Sequence, residues 1–321
     1  MADLPKVDID KPKFDQSTYI SRAKHFFLVT NPLNLLASNE DLERAKRIVL
    51  NYRAGKPVPE CKSIDDVWQA KYLYDSAFHP ETGEKSLIVG RMSAQVPMNT
   101  LITGCMLSFY KTTPAVVFWQ WINQTFNAVV NYTNRSGSSP ISQNQLITSY
   151  CLATGGALAT ALSLNSLVKN LNPFIGRLVP LAAVAAANCI NIPMMRMQEL
   201  QNGVVLLDEK NNVVGQSRKA AATGISAVVA SRIAMAMPGM VLTPMLMEYL
   251  SKRGVLKRYP MANAPIQTLF CGFVLIFATP LGCACFSQRA SIKVSSLEKS
   301  VQEEIHKKNP DLEVVYFNKG L

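Results

Sequence analysis

The chain has 321 residues, enough for two soluble domains, but its charges are distributed too unevenly for an ordinary soluble protein. It carries 33 lysines and arginines against 22 acidic residues, a net charge of +11, yet no acidic residue lies between Glu84 and Glu199. Soluble domains mix both signs of charge on their surface, whereas membrane domains drop carboxylates and keep basic residues near the ends of apolar segments. The composition therefore excludes a uniformly soluble protein and indicates a membrane domain with polar flanks.

The residues that usually carry enzyme chemistry are scarce in the apolar part. Seven cysteines lie mostly inside apolar segments without disulfide spacing, and the chain has three histidines. No Gly-rich phosphate loop, Ser/His/Asp order or paired-carboxylate motif stands in a plausible setting. We therefore expect no catalytic residue, no metal, no cofactor and no nucleic-acid partner.

The N-terminus lacks the features of a cleaved targeting peptide. No apolar segment follows Met1, which argues against a secretory signal, and Asp3, Asp8, Asp10 and Asp15 break the acid-poor pattern of mitochondrial presequences. If the protein reaches an organelle membrane, the sequence predicts an internal address.

Residues 1–96 read as a soluble helical region. Ser38 is placed to cap a helix that begins with acidic residues and carries apolar residues on one face. Ser63 and Asp66 have the spacing of a second capping arrangement. We predict two capped helices here, before a turn around His79 and Gly83.

The apolar segments follow, and a membrane-spanning helix needs about 20 of their residues. We predict spans near 146–167, 174–194, 224–247 and 264–286. Residues 97–131 fit one span plus an interfacial half-helix, so the fold class is an all-α, multi-pass helical membrane protein of about five transmembrane helices. Five crossings would put the termini on opposite faces. The predicted divisions are 1–96 (soluble helical), 97–288 (transmembrane) and 289–321 (C-terminal tail).

The tail after residue 289 has the pattern of an amphipathic helix. Ser295 and Glu298 have the spacing of a capping box, and Val294, Leu297, Val301 and Ile305 share one side. We expect this helix to pack on the protein itself.

Arg232 is the most informative residue for function, because it lies about eight residues inside the 224–247 segment, where a cation is costly. No acidic residue of the spans can pair with it, so a substrate carboxylate, a carbonyl group or water is the expected partner. The alternative is a later start to the span, with Arg232 reaching the interface.

Two helix irregularities are further candidates. Asn188 and Asn191 stand just before Pro193, and helix breaks of this kind line substrate sites in many transporters; a kinked, close-packed helix end is the alternative. Pro238 and Gly239 loosen the Arg232 helix and could act as a hinge. Small residues elsewhere, beginning with Gly155 and Gly156, predict close helix contacts.

Several strings of the sequence are distinctive: they include His79-Pro80-Glu81-Thr82, Gly90-Arg-Met-Ser-Ala-Gln-Val-Pro97, Phe118-Trp-Gln-Trp-Ile-Asn123, Ala185-Ala-Ala-Asn-Cys-Ile-Asn-Ile-Pro193 and Val315-Tyr-Phe-Asn-Lys-Gly-Leu321. With them, essentially the whole chain resembles the sideroflexin family. One departure is Glu81, where the family motif has aspartate.

The resemblance implies a multi-pass protein of the mitochondrial inner membrane that moves serine into the matrix for one-carbon metabolism, with other small neutral amino acids as further candidate substrates. Its expected partners are these amino acids, the lipid bilayer and other membrane proteins. Arg232, Asn188 and Asn191 are our candidates for the substrate path.

Two alternatives remain open at this point. The protein could be a non-transporting scaffold or assembly factor linked to iron or respiratory-chain maintenance. It could also be a tricarboxylate carrier, as an older name of the family suggests, although only Arg232 lies deep in a predicted span and a tri-anion would need several cations.

Overall fold

The computed structural model describes residues 7–79, 83–109, 112–133, 142–167, 176, 178–287 and 289–319. The α-helices, α1 to α12 in chain order, are Tyr19–Val29, Asn39–Arg53, Ile64–Ala77, Gln95–Phe109, Thr113–Thr133, Gln143–Leu167, Val179–Met195, Met197–Asn202, Arg218–Lys252, Val255–Arg258, Asn263–Ala284 and Lys299–Lys308. The strands β1 to β4 are Val204–Leu207, Val213–Ser217, Arg289–Lys293 and Val314–Asn318. Helix dominates, which confirms the predicted membrane-type helical class.

The N-terminal helices begin where the sequence predicts. The Ser38 hydroxyl accepts from the Asp41 amide at the start of α2, and Ser63 and Asp66 make the equivalent exchange at the start of α3. Each capping box satisfies amides that the first helical turn leaves unpaired. Both predicted capping positions are confirmed, and the two helices share a core around the fully buried Val49 and Val67.

The central part of the molecule is a bundle of the six helices α4, α5, α6, α7, α9 and α11. Consecutive members run antiparallel: the start of α6 meets the end of α7, where Gln145 Nε2 donates to the carbonyl of Met194 at 2.9 Å. Residue Ser231 of α9 likewise donates to the carbonyl of Gly282, near the end of α11, at 2.6 Å. In the described ranges, three stretches are long and apolar enough to cross a membrane: Gln143–Leu164, Arg218–Lys252 and Pro260–Ala284.

The segment predicted as one span plus an interfacial half-helix contains two helices of unequal length. It forms two antiparallel helices, α4 and α5, whose ends meet where the rings of Phe109 and Trp119 stack at 6.4 Å. α4 has only 15 residues, about 22 Å of helix, which explains why a count based on 20-residue spans misses it. With six alternating helices, the chain enters and leaves the bundle at the same end, whereas five predicted crossings would place the termini at opposite ends.

A four-stranded antiparallel sheet was not predicted. Its order is β2-β1-β4-β3, so it joins the hairpin between α8 and α9 to the strands that follow α11. β1 contacts β4 at the pair Leu207 and Tyr316, and β3 pairs with β4 along its whole length. The sheet therefore fastens the C-terminal segment to the end of the bundle where α7 ends and α9 begins.

The tail helix α12 packs on this sheet. Leu297, Ile305 and Val294 are buried with Phe317 in one apolar cluster, as the predicted amphipathic face requires. The predicted Ser295–Glu298 capping box is wrong, because the Glu298 side chain caps the start of α9 instead. Its carboxylate accepts from the backbone amides of Arg218 and Lys219 and from the Ser217 hydroxyl.

Candidate functional site

A cleft lies at the end of the bundle that carries the sheet, where α4 begins and α11 ends. Its lining comes from four places in the sequence: Met92, Gln95, Val228, Ser231, Arg232, Met235, Thr279, Cys283 and Lys319. It comprises about 410 Å³ of space between atoms, part of it open to solvent, and the centre of a water molecule can occupy only about 20 Å³ of it. Because this is room for about one water molecule, a larger ligand requires the lining side chains to move.

Arg232 projects into this cleft from α9. Its side chain is of intermediate exposure, and within the described residues its guanidinium has no hydrogen bond and no ion pair. One turn along α9, Met235 closes the same wall of the cleft. A guanidinium offers five N–H groups and is always charged, so an unpaired one in a partly dry cleft favours an anionic ligand.

Lys319 supplies a second cation, from the residue that follows β4. It is only 4% exposed, which is exceptional for lysine, and its ammonium lies 5.5 Å from the centre of the Phe286 ring. No carboxylate of the described chain pairs with it. Burial lowers the pKa of Lys319, and the nearby guanidinium groups of Arg196 and Arg232 act in the same direction.

Gln95 completes the polar lining at the start of α4. It is 5% exposed, and its Nε2 donor has no acceptor among the residues described. Its Oε1 accepts a long hydrogen bond from Asn99 at 3.4 Å. An unpaired buried donor costs free energy, so a ligand oxygen at this position would stabilise the site.

The donors of the cleft outnumber its acceptors. Arg232, Lys319 and Gln95 all present N–H groups, and none of the nine lining residues is acidic. Hydroxyl groups of Ser231 and Thr279 and the thiol of Cys283 are the remaining polar groups. The arrangement therefore suits a small ligand with a carboxylate, or another anionic group rich in acceptors.

An apolar layer closes the interior beyond the cleft. Met240 lies two turns beyond Arg232 on α9, and Ile102 lies two turns beyond Gln95 on α4. Both are buried in one cluster with Met106, Phe126, Val130 and Val184. The cleft is thus separated from the other end of the bundle by packed side chains rather than by a water-filled path.

Helix α1 covers the cleft from the side of the N-terminal region. Phe26 and Ala23 pack against Cys283 and Ala284, with Met235 beside them. The Arg22 side chain also donates to the carbonyl of Ala284 at 2.9 Å. The N-terminal region therefore contacts residues that line the cleft, and any widening of the cleft on this side would disturb α1.

The structure does not bring all the predicted site residues together. Arg232 lines the cleft, but neither Asn188 nor Asn191, both on α7, belongs to its lining. Asn191 is buried at 4%, and its neighbour Ile192 packs against α9. Pro193 lies in the last turn of α7, which ends at Met195, so it marks a helix end.

The predicted hinge is part of a continuous helix. α9 is one continuous helix of 35 residues that includes Pro238 and Gly239. Gly239 instead permits a close approach, because a Cβ there would lie 3.3 Å from Cys271 Sγ. Of the family motif, the His79 amide donates to the carbonyl of Glu84 at 2.8 Å, and Pro80, Glu81 and Thr82 lie outside the described residues.

Sequence reasoning missed Gln95 and Lys319. A pattern in the sequence could have found Lys319, because Val315, Phe317 and Lys319 alternate along an extended segment and all three are buried. Gln95 had no comparable pattern. It becomes significant only because α4 and α9 meet.

The fold and the site define a multi-pass helical membrane protein with a cationic cleft between its helices. The chain belongs to the sideroflexin family: the family model for sideroflexins matches residues 8–321. It is similar to Sideroflexin-1-3 of Drosophila melanogaster, with 73% identity over 321 residues, 100% of each chain.

Human relatives match over similar lengths. Sideroflexin-1 of Homo sapiens is 58% identical over 317 residues, covering 99% of this chain and 98% of the relative. Sideroflexin-3 of Homo sapiens is 57% identical over 322 residues, 100% of each. No solved structure matches the chain significantly. Family membership supports a transporter-type function for this membrane protein.

Proposed function

We propose that this protein is a transporter that moves serine, and other small neutral amino acids, across the mitochondrial inner membrane into the matrix, where serine supplies one-carbon metabolism. The observation that carries the proposal is the guanidinium of Arg232, which no described residue pairs, in a cleft whose lining has no carboxylate. In this proposal the protein is not an enzyme, because it binds and releases its substrate unchanged.

The cleft chemistry is compatible with an amino acid as substrate. Arg232 binds the carboxylate through charge-assisted hydrogen bonds, with Gln95 Nε2 as an additional donor. Met92, Val228 and Met235 restrict the remaining space, which favours a short side chain. Hydroxyl oxygens of Ser231 and Thr279 are the acceptors that the lining offers to a substrate ammonium or hydroxyl group.

Transport requires the two closures of the cleft to open in turn. On one side α1 and the C-terminal segment cover the cleft, and on the other the layer around Met240 and Ile102 blocks the bundle interior. A rocking motion that opens one closure while the other stays packed would give alternating access to the cleft.

The test is uptake of labelled serine by purified protein in liposomes. We expect Arg232→Ala to raise the KM for serine at least tenfold, because a hydrogen bond to a charged group contributes about 1.5–3 kcal/mol. Arg258→Ala is the matched control, since this arginine lies outside the cleft, beside the ring of Tyr259. Wild-type kinetics in the Arg232 variant would remove its assigned role.

A substrate panel separates the alternatives. Alanine, glycine, cysteine and citrate are offered to the wild-type protein alongside serine. Citrate belongs in the panel because the cleft contains two cations, Arg232 and Lys319. The sequence alone indicated one, which argued against a tri-anion as substrate. Uptake of citrate alone would favour a tricarboxylate carrier, and no flux for any compound would favour the scaffold alternative.

A further inference from the structure

The position of Lys319 is unusual for a lysine. The strand β4 ends at Asn318, and the next side chain turns inward to 4% exposure at the cleft. Burying an ammonium without an anion costs several kcal/mol in general, so such residues persist where a partner or a function compensates. The burial of Lys319 therefore requires an explanation.

The backbone around Lys319 is fixed by specific contacts. Arg196 Nη1 donates to the carbonyl of Lys319 at 2.6 Å, and Arg196 is itself paired with Glu199. Two residues before Lys319, the ring of Phe317 packs beside Gly224, where a Cβ would lie 3.0 Å from the ring. These contacts hold the strand end against α9, so the inward direction of Lys319 is determined by the fold.

No described carboxylate is available to neutralise this ammonium. Glu199, on α8, is occupied by Arg196, and the cleft lining contains no acidic residue. Arg232 adds a second positive charge to the same lining. Two cations that share a small cleft repel each other, and one bound anion relieves both charges at once.

We propose that Lys319 is a second substrate-binding cation, that it binds the same carboxylate as Arg232, and that the C-terminal segment is therefore a wall of the substrate site. This inference rests on the proposed function and deepens it by defining the substrate class. The ligand carries a carboxylate and has a net charge of zero or below, whereas amines without a carboxylate and basic amino acids are excluded by two fixed cations.

The experiment uses the full-length protein, both in liposomes and in detergent. Lys319→Gln, Lys319→Arg and the control Lys293→Gln are compared; Lys293 is exposed, belongs to the same sheet, and its substitution changes the net charge equally. We expect Lys319→Gln to raise the KM for serine at least tenfold. Lys319→Arg should recover most of the affinity, and Lys293→Gln should behave as the wild type.

Ligand-induced stabilisation distinguishes a binding role from a structural one. Serine and glycolate, which share a carboxylate, should raise the Tm of the wild-type protein, whereas ethanolamine, which lacks one, should not. In Lys319→Gln the shift should be lost although the Tm without ligand is equal to or above that of the wild type, because the variant removes an unpaired buried charge. A lower Tm without ligand, combined with a wild-type shift, would assign Lys319 a purely structural role and overturn the inference.

Failure of this inference differs from failure of the proposed function. If the wild type transports serine and Lys319→Gln has the same KM, the inference is wrong and the transporter proposal stands. The wild type could instead transport none of the amino acids, while glycolate raises the Tm of the wild type but not that of Lys319→Gln. In that case the carboxylate site stands and the serine function does not. If no carboxylate stabilises the wild type, the inference is overturned.

Discussion

Individual glycines determine how closely the helices of the bundle approach. Between α4 and α11, Gly104 faces Thr268 and Gly272 faces Thr100, so each helix contributes a glycine against a threonine of the other. A Cβ at Gly104 would lie 2.8 Å from the Cα of Thr268, and backbone cannot turn away as a side chain can. Close contact of this kind is how helices associate in lipid, where burial of apolar surface contributes little. Close helix contact is also predicted at Gly155, but a Cβ built there would meet no atom of the described residues within 4 Å.

The contrast between these two glycines gives a prediction about stability. Gly104→Ala should destabilise the protein by about 1–3 kcal/mol, the usual cost of overpacking, because α4 and α11 must separate. Gly155→Ala, also within a helix, should be neutral or stabilise by up to about 1 kcal/mol through helix propensity. Thermal unfolding in mild detergent measures both. Equal Tm values for the two variants would show that the α4–α11 contact has room for a methyl group.

At the scale of elements, α9 depends on a residue that lies some 80 positions away. Ser217 caps the first turn of α9, because its hydroxyl accepts from the Ala220 amide at 3.1 Å. The Glu298 carboxylate accepts from the amides of Arg218 and Lys219 at 2.9 Å each. A carboxylate at this position also interacts favourably with the positive end of the helix dipole. Glu298 thereby joins the C-terminal segment to the helix that carries Arg232.

This cap makes a pH-dependent contribution to stability. Burial of Glu298 opposes ionisation, but hydrogen bonds from Ser217 and the amides of Lys219 and Arg218 outweigh it and lower its pKa below the ordinary 4.5. A lowered carboxyl pKa stabilises the fold above about pH 4.5, and that contribution is lost as the pH falls through the folded-state value. We expect Glu298→Gln to lose about 0.5–2 kcal/mol at pH 7.

The measurement is unfolding of wild type and Glu298→Gln across pH 3 to 7. The difference between them should shrink towards acid, because the wild type then loses the same charge. Glu303→Gln is the control: it removes a carboxylate from the exposed face of the same tail helix, and we expect it to change stability little at any pH. A difference that stays constant down to pH 3 would contradict the capping role.

The elements that could be predicted from the sequence are those fixed by neighbouring residues. The capping boxes at Ser38 and Ser63 use partners three positions away, so the starts of α2 and α3 were predictable. The sheet was not, because its pairing of Leu207 with Tyr316 joins four- and five-residue strands more than a hundred positions apart. Glu298 shows the same limit: its spacing to Ser295 indicates a local cap, and the sheet brings it to α9 instead.

The candidate site also contains one residue that could be predicted from the sequence and others that could not. Arg232 was predictable because an isolated cation in an apolar segment is visible in the sequence itself. Gln95 and Lys319 join it only through the packing of α4 and β4, and Asn188 and Asn191 are not part of the lining. Chemistry carried by one residue could thus be anticipated, whereas the lining of the cleft could not.

At the scale of the whole molecule, the number of bundle helices determines where the termini lie. The end of α11 is contacted from both ends of the chain: Tyr19 donates to the carbonyl of Leu281 at 3.2 Å, and β3, which follows α11, pairs with β4. The α9–α10 connection at Gly254 lies at the opposite end of the bundle. The count of five predicted spans differs from the six bundle helices, because α4 has only 15 residues, fewer than the roughly 20 that the count requires.

We therefore predict that both termini lie on the same side of the membrane. Epitope tags at the N-terminus, at the C-terminus and inserted after Gly254 are tested for protease protection in sealed organelles, before and after detergent permeabilisation. The two terminal tags should be protected or cleaved together, because six antiparallel helices return the chain to its starting side, and the tag at Gly254 should show the reverse pattern. Opposite results for the two terminal tags would require an odd number of crossings, and would mean that α4 and α5 do not both traverse the bilayer.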